Sequence, residues 1–401
     1  MKYNVLAPRG LNNKTLLNSP IFLPFDKNVI DFINTLSENI LSNKDFREFP
    51  EMIALAFWIR RTNIEKQKKI FEKNRGNRLL FPRGIVFHIA PSNVDTIFVY
   101  SWLLSMLVGN INVVRLSSNI SPQTNLLIGV INSILNKVRF EKIKEQVLLV
   151  QYSHDDQITR EFSSNCDVRV IWGGDQTICK IRAIPLNPHS TEIIFSDKFS
   201  LAMIDANRFL NYPHKDDLIQ NFYNDSFLFM QMACSSPRLV VWVGNNREIN
   251  SAKEIFWKLL DEKVKKDHPE FYASNAIDKL VSTYALSIEQ QIKVELSETN
   301  YINRIFIDNP KVLNIELHCG AGLFYEIHVK KLESIIPLIT KKYQTISVFG
   351  INENKIKSFL VNNIPNGIDR IVPIGKALEF SHIWDGYDLF HEYTREVTIQ
   401  I

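Results

Sequence analysis

Between residues 85 and 172 one unit repeats: a short, mostly apolar run, a turn, a helix-patterned stretch, then the next run. The runs are Ile85 to Ala90, Ile111 to Leu116, Gln146 to Gln151 and Val168 to Trp172. Their apolar residues do not alternate with polar ones, so both faces of each strand must be covered, as in a parallel sheet carrying helices on both sides. Ile97 to Val108 reads as a buried helix closed by Gly109-Asn110, and Gln123 to Leu135 as a second helix. Strand, helix, strand in this order leaves an open parallel sheet with right-handed crossovers.

The pattern resumes further along. Ser200 to Ile204, Leu239 to Val243, Arg304 to Ile307, Leu323 to Val329 and Thr345 to Phe349 read as strands, and Asp216 to Met232 and Ile249 to Lys265 as helices. The expectation is an α/β chain of two Rossmann-like open-sheet lobes, residues 1–205 and 206–401. Met1 to about Gly76 reads as helical and peripheral, with helices over Ile30–Leu41 and Met52–Phe71 and a basic, solvated stretch from Lys66 to Arg75. Phe271 to Tyr301 is mixed and polar and receives no assignment.

Composition removes several classes. A chain of 401 residues that is 45% hydrophobic and 22% charged can bury large cores and is not broadly disordered. The net charge of +4 is weak, and no basic run is interleaved with aromatics, which argues against nucleic acid. Cys166, Cys179, Cys234 and Cys319 form no C-x-x-C pair and no zinc spacing, so free thiols in a reducing, cytoplasmic setting and no metal are expected. The N-terminal MKYNVLAPRG lacks an apolar signal core, and the Ile97–Val108 run falls short of the roughly 18 residues of a membrane span.

Four places carry candidate chemistry. Cys234 follows a predicted helix and precedes Ser235-Ser236-Pro237. A cysteine on such a turn is either a small buried hydrophobe, the commoner case, or a nucleophile that uses its own backbone N–H as an oxyanion donor. Asn93 lies just past a buried strand, where ligands approach open sheets; it is either an ordinary turn residue or an amide donor to an oxyanion. Arg115, with Ser117 and Ser118 behind it, offers a cation and two hydroxyls to a phosphate. Gly173-Gly174 is either a plain strand-to-helix turn or a phosphate loop at a helix N-terminus; no G-x-G-x-x-G follows any strand.

The segments PRGIVFHIAPSNVDT, LVGNINVVRLSSNISPQ, IWGGDQTICKIRAIPL, QMACSSPR, RIVPIGKALEF and WDGYDL, in that order, resemble the acyl-CoA reductase (LuxC) family of the aldehyde dehydrogenase superfamily, over about Pro82 to Tyr393. The resemblance implies an aldehyde dehydrogenase-like fold with cofactor-binding and catalytic lobes, the site in the cleft between them, and a C-terminal tail used in oligomerisation. It implies NADPH-dependent reduction of an acyl-CoA or acyl-protein thioester to the aldehyde, Cys234 as acyl acceptor and Asn93 as oxyanion donor. Arg115, Ser117 and Ser118 then fall on the adenosine-binding strand; the superfamily often has a carboxylate at the position of Ser118, and losing it beside a cation favours NADP. Gly173 and Gly174 fall beneath the pyrophosphate.

With Lys198 aligned to the lysine of the hydrolytic relatives' ELGGK motif, their water-activating glutamate falls on Ile194, with Glu192 near but out of register. An acyl-enzyme would then persist until reduced. An acyl-protein synthetase and a homo-oligomer are the partners implied. Two other activities remain at this point: an NAD(P)-dependent aldehyde dehydrogenase forming acid, and a non-reducing acyl-carrying partner of the synthetase.

Overall fold

The structure is a computed structural model that describes residues 3–9, 19, 21–91, 96–153, 155–267, 273–297, 299–308 and 313–401. The chain divides into two compact units, residues 1–197 with 380–401, and residues 198–379. This division departs from the expected boundary at 205 in two ways. Residues 199–205 are a strand of the second unit's sheet, and the C-terminal residues return to the first unit.

The first unit contains β1 (Asn4–Ala7), β2 (Leu79–Pro82), β3 (Ile85–Ile89), β4 (Ile111–Leu116), β5 (Val147–Gln151), β6 (Val168–Trp172) and β7 (Thr191–Phe195). Its six-stranded sheet runs β1-β5-β4-β3-β6-β7, parallel except for β1 at one edge. The strand Thr394–Val397 pairs antiparallel with β2, which ties the C-terminus to this unit. The apolar rhythm fixes the central strands: β3 to β6 are buried on both faces, and the helix Ile97–Leu107 between β3 and β4 is buried all round.

Several polar groups inside this sheet pair with one another. Asn112 Nδ2 donates to the Asn110 carbonyl, so Asn112 Oδ1 is left to accept from His88 Nε2 at 3.0 Å. His88 Nδ1 then accepts from Ser101 Oγ, which itself accepts from Trp172 Nε1. Burial pushes the His88 imidazole down to about 4, so it stays neutral in that tautomer.

The second unit contains β8 (Phe199–Asp205), β9 (Pro237–Val243), β10 (Lys293–Leu296), β11 (Asn303–Phe306), β12 (Leu323–Val329), β13 (Tyr343–Phe349) and β14 (Arg370–Pro373). They form one sheet in the order β10-β11-β12-β9-β8-β13-β14, parallel except for β10 at the edge. Leu201, Leu239, Val241, Leu323, Tyr325 and Ile327 pack on one face, and Trp242, Phe256, Trp257 and Phe324 belong to the cluster on the other. The β12 carboxylate Glu326 is buried: it accepts from the indole N–H groups of Trp242 and Trp257 and pairs with Lys253 at 3.1 Å, which offsets the cost of its burial. The segment left unassigned by sequence contains the helix Ala273–Glu289 and β10. Among the described residues no helix is long and apolar enough to cross a membrane.

Candidate active site

Cys234 stands on the connection between the helix Lys215–Phe227 and β9. The helix stops five residues before the expected end at Met232, because Met230 and Gln231 both adopt left-handed conformations, φ 48° and 61°. Such residues cost about 1–3 kcal/mol each and persist only where the surroundings over-determine them. Gln231 supplies that constraint. Its buried side chain accepts from Gly322 N at 2.8 Å and donates to the carbonyls of Pro237 (3.1 Å) and Leu323 (3.0 Å). Its own carbonyl accepts from Arg238 Nε at 2.9 Å.

The opposing turn, residues 318–322, presses on the loop through a hydrogen bond from Ala321 N to the Met230 carbonyl, 3.1 Å. Gly320 has φ +75°, and an added Cβ would stand 2.7 Å from the same carbonyl oxygen, so a side chain there is excluded on both counts. His318 is held by the Gly320 N–H on Nδ1 at 3.0 Å. Burial first, then the charge of Arg238, drives its ring well below the ordinary range; it remains neutral and braces the turn. Burial likewise lowers His328 to about 4.

Cys234 is only half-buried, unlike Cys166, whose thiol is pushed up to about 12 by burial and which serves as a core residue. Ser200 Oγ donates to the Cys234 carbonyl at 2.6 Å and accepts from Thr345 N at 3.1 Å. The side chain of Gln344 reaches the sulfur, with Nε2 3.4 Å from Sγ. Neither Ser200 nor Gln344 nor Gln231 was singled out from the sequence. The only local signal was polarity inside apolar strand or helix patterns. The RIVPIGKALEF motif also finds its partner here: Asp225, raised by burial to about 7, accepts from Gly375 N and Ala377 N, and Arg370 donates to the Lys376 and Ala377 carbonyls.

The remaining candidates lie in the first unit. Arg115 is near the carboxyl end of β4 and Gly173-Gly174 just past the end of β6; both strands flank β3. Asn93, which follows β3, lies outside the described residues. The Arg115 guanidinium sits 5.2 Å from the Tyr152 ring centre, its Nε is buried with no hydrogen-bond acceptor, and burial lowers its basicity. Ser117 and Ser118 are held by their carbonyls, which accept from Gln151 Nε2, leaving the Ser118 side chain exposed.

The helix Asp175–Arg182 has Gly174 as its N-cap, a residue that brings no capping side chain. Asp197 closes on this turn: a Cβ added to Gly174 would lie 2.9 Å from its carboxylate. Ile194 is an apolar residue of β7 packed on the core. Glu192 is committed to Arg169 (Nε to Oε1, 2.8 Å) and Arg182 (3.1 Å). Among the described residues no group of His, Cys, Asp and Glu could hold a metal.

The fold has solved counterparts. Lactaldehyde dehydrogenase from Escherichia coli matches at TM-score 0.66 and 11% identity, over 92% of this chain and 86% of that one. A putative aldehyde dehydrogenase from Burkholderia cenocepacia gives 0.67 and 12%, over 92% and 84%. Glyceraldehyde-3-phosphate dehydrogenase GapN from Methanocaldococcus jannaschii, solved with NADP, gives 0.66 and 12%, over 96% and 91%. At these identities they establish an aldehyde dehydrogenase fold.

By sequence, the long-chain acyl-protein thioester reductase of Aliivibrio fischeri is 23% identical over 73% of this chain and 59% of its own length. The protein of the same name from Photorhabdus laumondii is 24% identical over 67% and 54%. The chain thus spans less than two thirds of the length of these curated relatives. The model of the acyl-CoA reductase (LuxC) family matches residues 62–395, which include the Cys234 loop, Arg115 and the glycine turn, and the chain belongs to that family.

Proposed function

We propose that this chain reduces a fatty acyl-CoA or acyl-protein thioester to the aldehyde with NADPH, through an acyl group carried on Cys234. The observation that carries the reading is the Cys234 loop. A half-buried sulfur, on a turn held by strained backbone and buried hydrogen bonds, faces a side-chain amide donor. Structural cysteines need none of this.

In this reading the Cys234 thiolate attacks the thioester carbon, and the CoA or carrier thiol departs. The backbone N–H of Cys234, with Asn93 as the second donor, stabilises the tetrahedral oxyanion, each donor contributing roughly 3 kcal/mol. NADPH, when bound, supplies the hydride that takes the acyl carbon to the aldehyde level. The resulting thiohemiacetal then expels the Cys234 sulfur as thiolate and releases the aldehyde.

For the cofactor, the first unit provides the binding lobe and the second the catalytic one. Arg115 suits an adenosine 2′-phosphate, because its buried Nε lacks the acceptor a phosphate oxygen would give it, while Ser117 and Ser118 add polar groups and no carboxylate. Gly173 and Gly174 lead into a helix N-terminus suited to the pyrophosphate, with Asp197 near enough to limit how closely an anion seats.

The acid-forming alternative needs a carboxylate that activates water. Ile194 cannot do so, and Glu192 is held between two arginines. An acyl-protein synthetase as donor and a homo-oligomeric assembly complete the proposal. The relatives' printed name supports an acyl-protein as substrate.

Purified protein mixed with NADPH and acyl-CoAs of graded length tests the reading. Consumption of NADPH with an equal amount of aldehyde is the expected result. Acid made from aldehyde and NAD without CoA, or no NADPH consumption with any thioester, overturns it.

A further inference from the structure

β13 does not run evenly beside β8. Tyr343 pairs with Phe199 and Ile346 with Leu201, so two residues, Gln344 and Thr345, stand opposite the single residue Ser200. This is a bulge, a device that re-aims a side chain from a strand. The same Ser200 marks an irregularity between β8 and β9, the strand that begins three residues after Cys234.

Around this bulge hydrogen bonds join the groups to one another. Thr345 N donates to Ser200 Oγ, which donates to the Cys234 carbonyl. Thr345 Oγ1 donates to Gln344 Oε1 at 3.1 Å, which turns the amide so that Nε2 points to Cys234 Sγ. Gln344, Thr345 and Ser200 are all buried. A buried amide in an otherwise apolar strand is costly unless its donors are used. Here one of them is used on a sulfur atom.

We infer that Gln344 is a catalytic residue whose side-chain N–H holds the Cys234 sulfur in the thiolate form, aimed there by the β13 bulge. The inference rests on the acyl-transfer reading for its purpose. A thiolate only accepts hydrogen bonds, so the charged sulfur selects the amide orientation seen here. Donation to the charged form favours ionisation. The donor cannot titrate, so it serves at any working pH and takes no proton from the thiol. Once the sulfur is acylated it becomes a poor acceptor and the contact weakens. When the thiohemiacetal collapses, the sulfur leaves as thiolate and the contact is restored. One hydrogen bond therefore serves both the attack and the expulsion.

The test reads thiolate directly. The full chain, without substrate or NADPH, is alkylated with iodoacetamide across a pH series, and modification at the Cys234 peptide is timed by mass spectrometry. Gln344→Met keeps the length and removes the donor. Its alkylation midpoint is expected to rise by about one pH unit, with roughly tenfold slower modification below the midpoint. Gln344→Glu, which places a carboxylate at the sulfur, should raise it further. Thr345→Val, which leaves Gln344 in place but frees the amide, should raise it less; it also serves if the Gln344 variants fail to fold.

A purely structural role would change alkylation at every pH through exposure without moving the midpoint. Midpoints that coincide with wild type in the folded variants overturn the assignment. A wild-type chain that reduces no thioester overturns the functional reading and leaves the midpoint comparison to decide Gln344 by itself.

Discussion

The Cys234 loop and the carboxyl ends of β4 and β6 are built on opposite principles. In the loop and the turn against it, Met230, Gln231 and Ala321 are non-glycine residues at positive φ, and buried hydrogen bonds from Gln231, Ser200 and Arg238 hold the backbone. At the strand ends, neither Gly173 nor Gly174 needs a left-handed conformation, the Ser118 side chain is exposed, and Arg115 keeps a buried Nε without an acceptor. The proposed role of Cys234 needs a sulfur placed within a fraction of an ångström, which a backbone fixed before substrate arrives would supply. A region that receives an anion leaves part of its hydrogen-bonding capacity for the ligand to complete.

If the loop is held as described, its anchor is the place to break it. Gln231→Leu fills the same space but strands the Gly322 N–H and two carbonyls in the interior, at about 1–3 kcal/mol per group. A loss of roughly 4 kcal/mol on denaturant unfolding, with acylation lost in parallel, is expected. A change under about 1 kcal/mol would mean that the loop's shape comes from elsewhere.

The strand ends should respond differently. Arg115→Ala removes a cation that ties down no neighbouring carboxylate among the described residues, so folding should change little. Steady-state kinetics should show KM for NADPH raised about 10- to 100-fold, the worth of one hydrogen bond to a charged group, while KM for NADH stays within about twofold. An equal rise for both cofactors would place the 2′-phosphate elsewhere.

The sequence exposed the central strands because their burial on both faces writes a continuous apolar run. β3, β4, β5 and β6 lie within a residue of expectation. β7 was passed over: Thr191 and Glu192 interrupt its pattern, and Glu192 makes sense only beside Arg169, whose partner the sequence does not reveal. The edge strands β1, β10 and β14 are four residues long and half-polar or half-exposed, so they carry little periodic signal.

The helix before Cys234 was extended to Met232 because Leu228-Phe229-Met230 continues its apolar character. What ends it is Gln231 bonding to Leu323, 92 residues away. The return of Thr394–Val397 to β2 is likewise a pairing across more than 300 positions with no local cue. Cys234 and Arg115 stood out in the sequence as candidates by residue type at turn and strand positions. Gln344 did not, since a lone glutamine in a strand carries no mark of what it faces.

The most direct test is the mass of the protein after exposure to a long-chain acyl-CoA with NADPH withheld. One acyl adduct confined to the Cys234 peptide, absent from Cys234→Ala and discharged as aldehyde when NADPH is added, is the expected result. An adduct on Cys166, Cys179 or Cys319 that survives in Cys234→Ala, or no adduct in a wild-type chain that still makes aldehyde, would contradict capture of the acyl group at this sulfur.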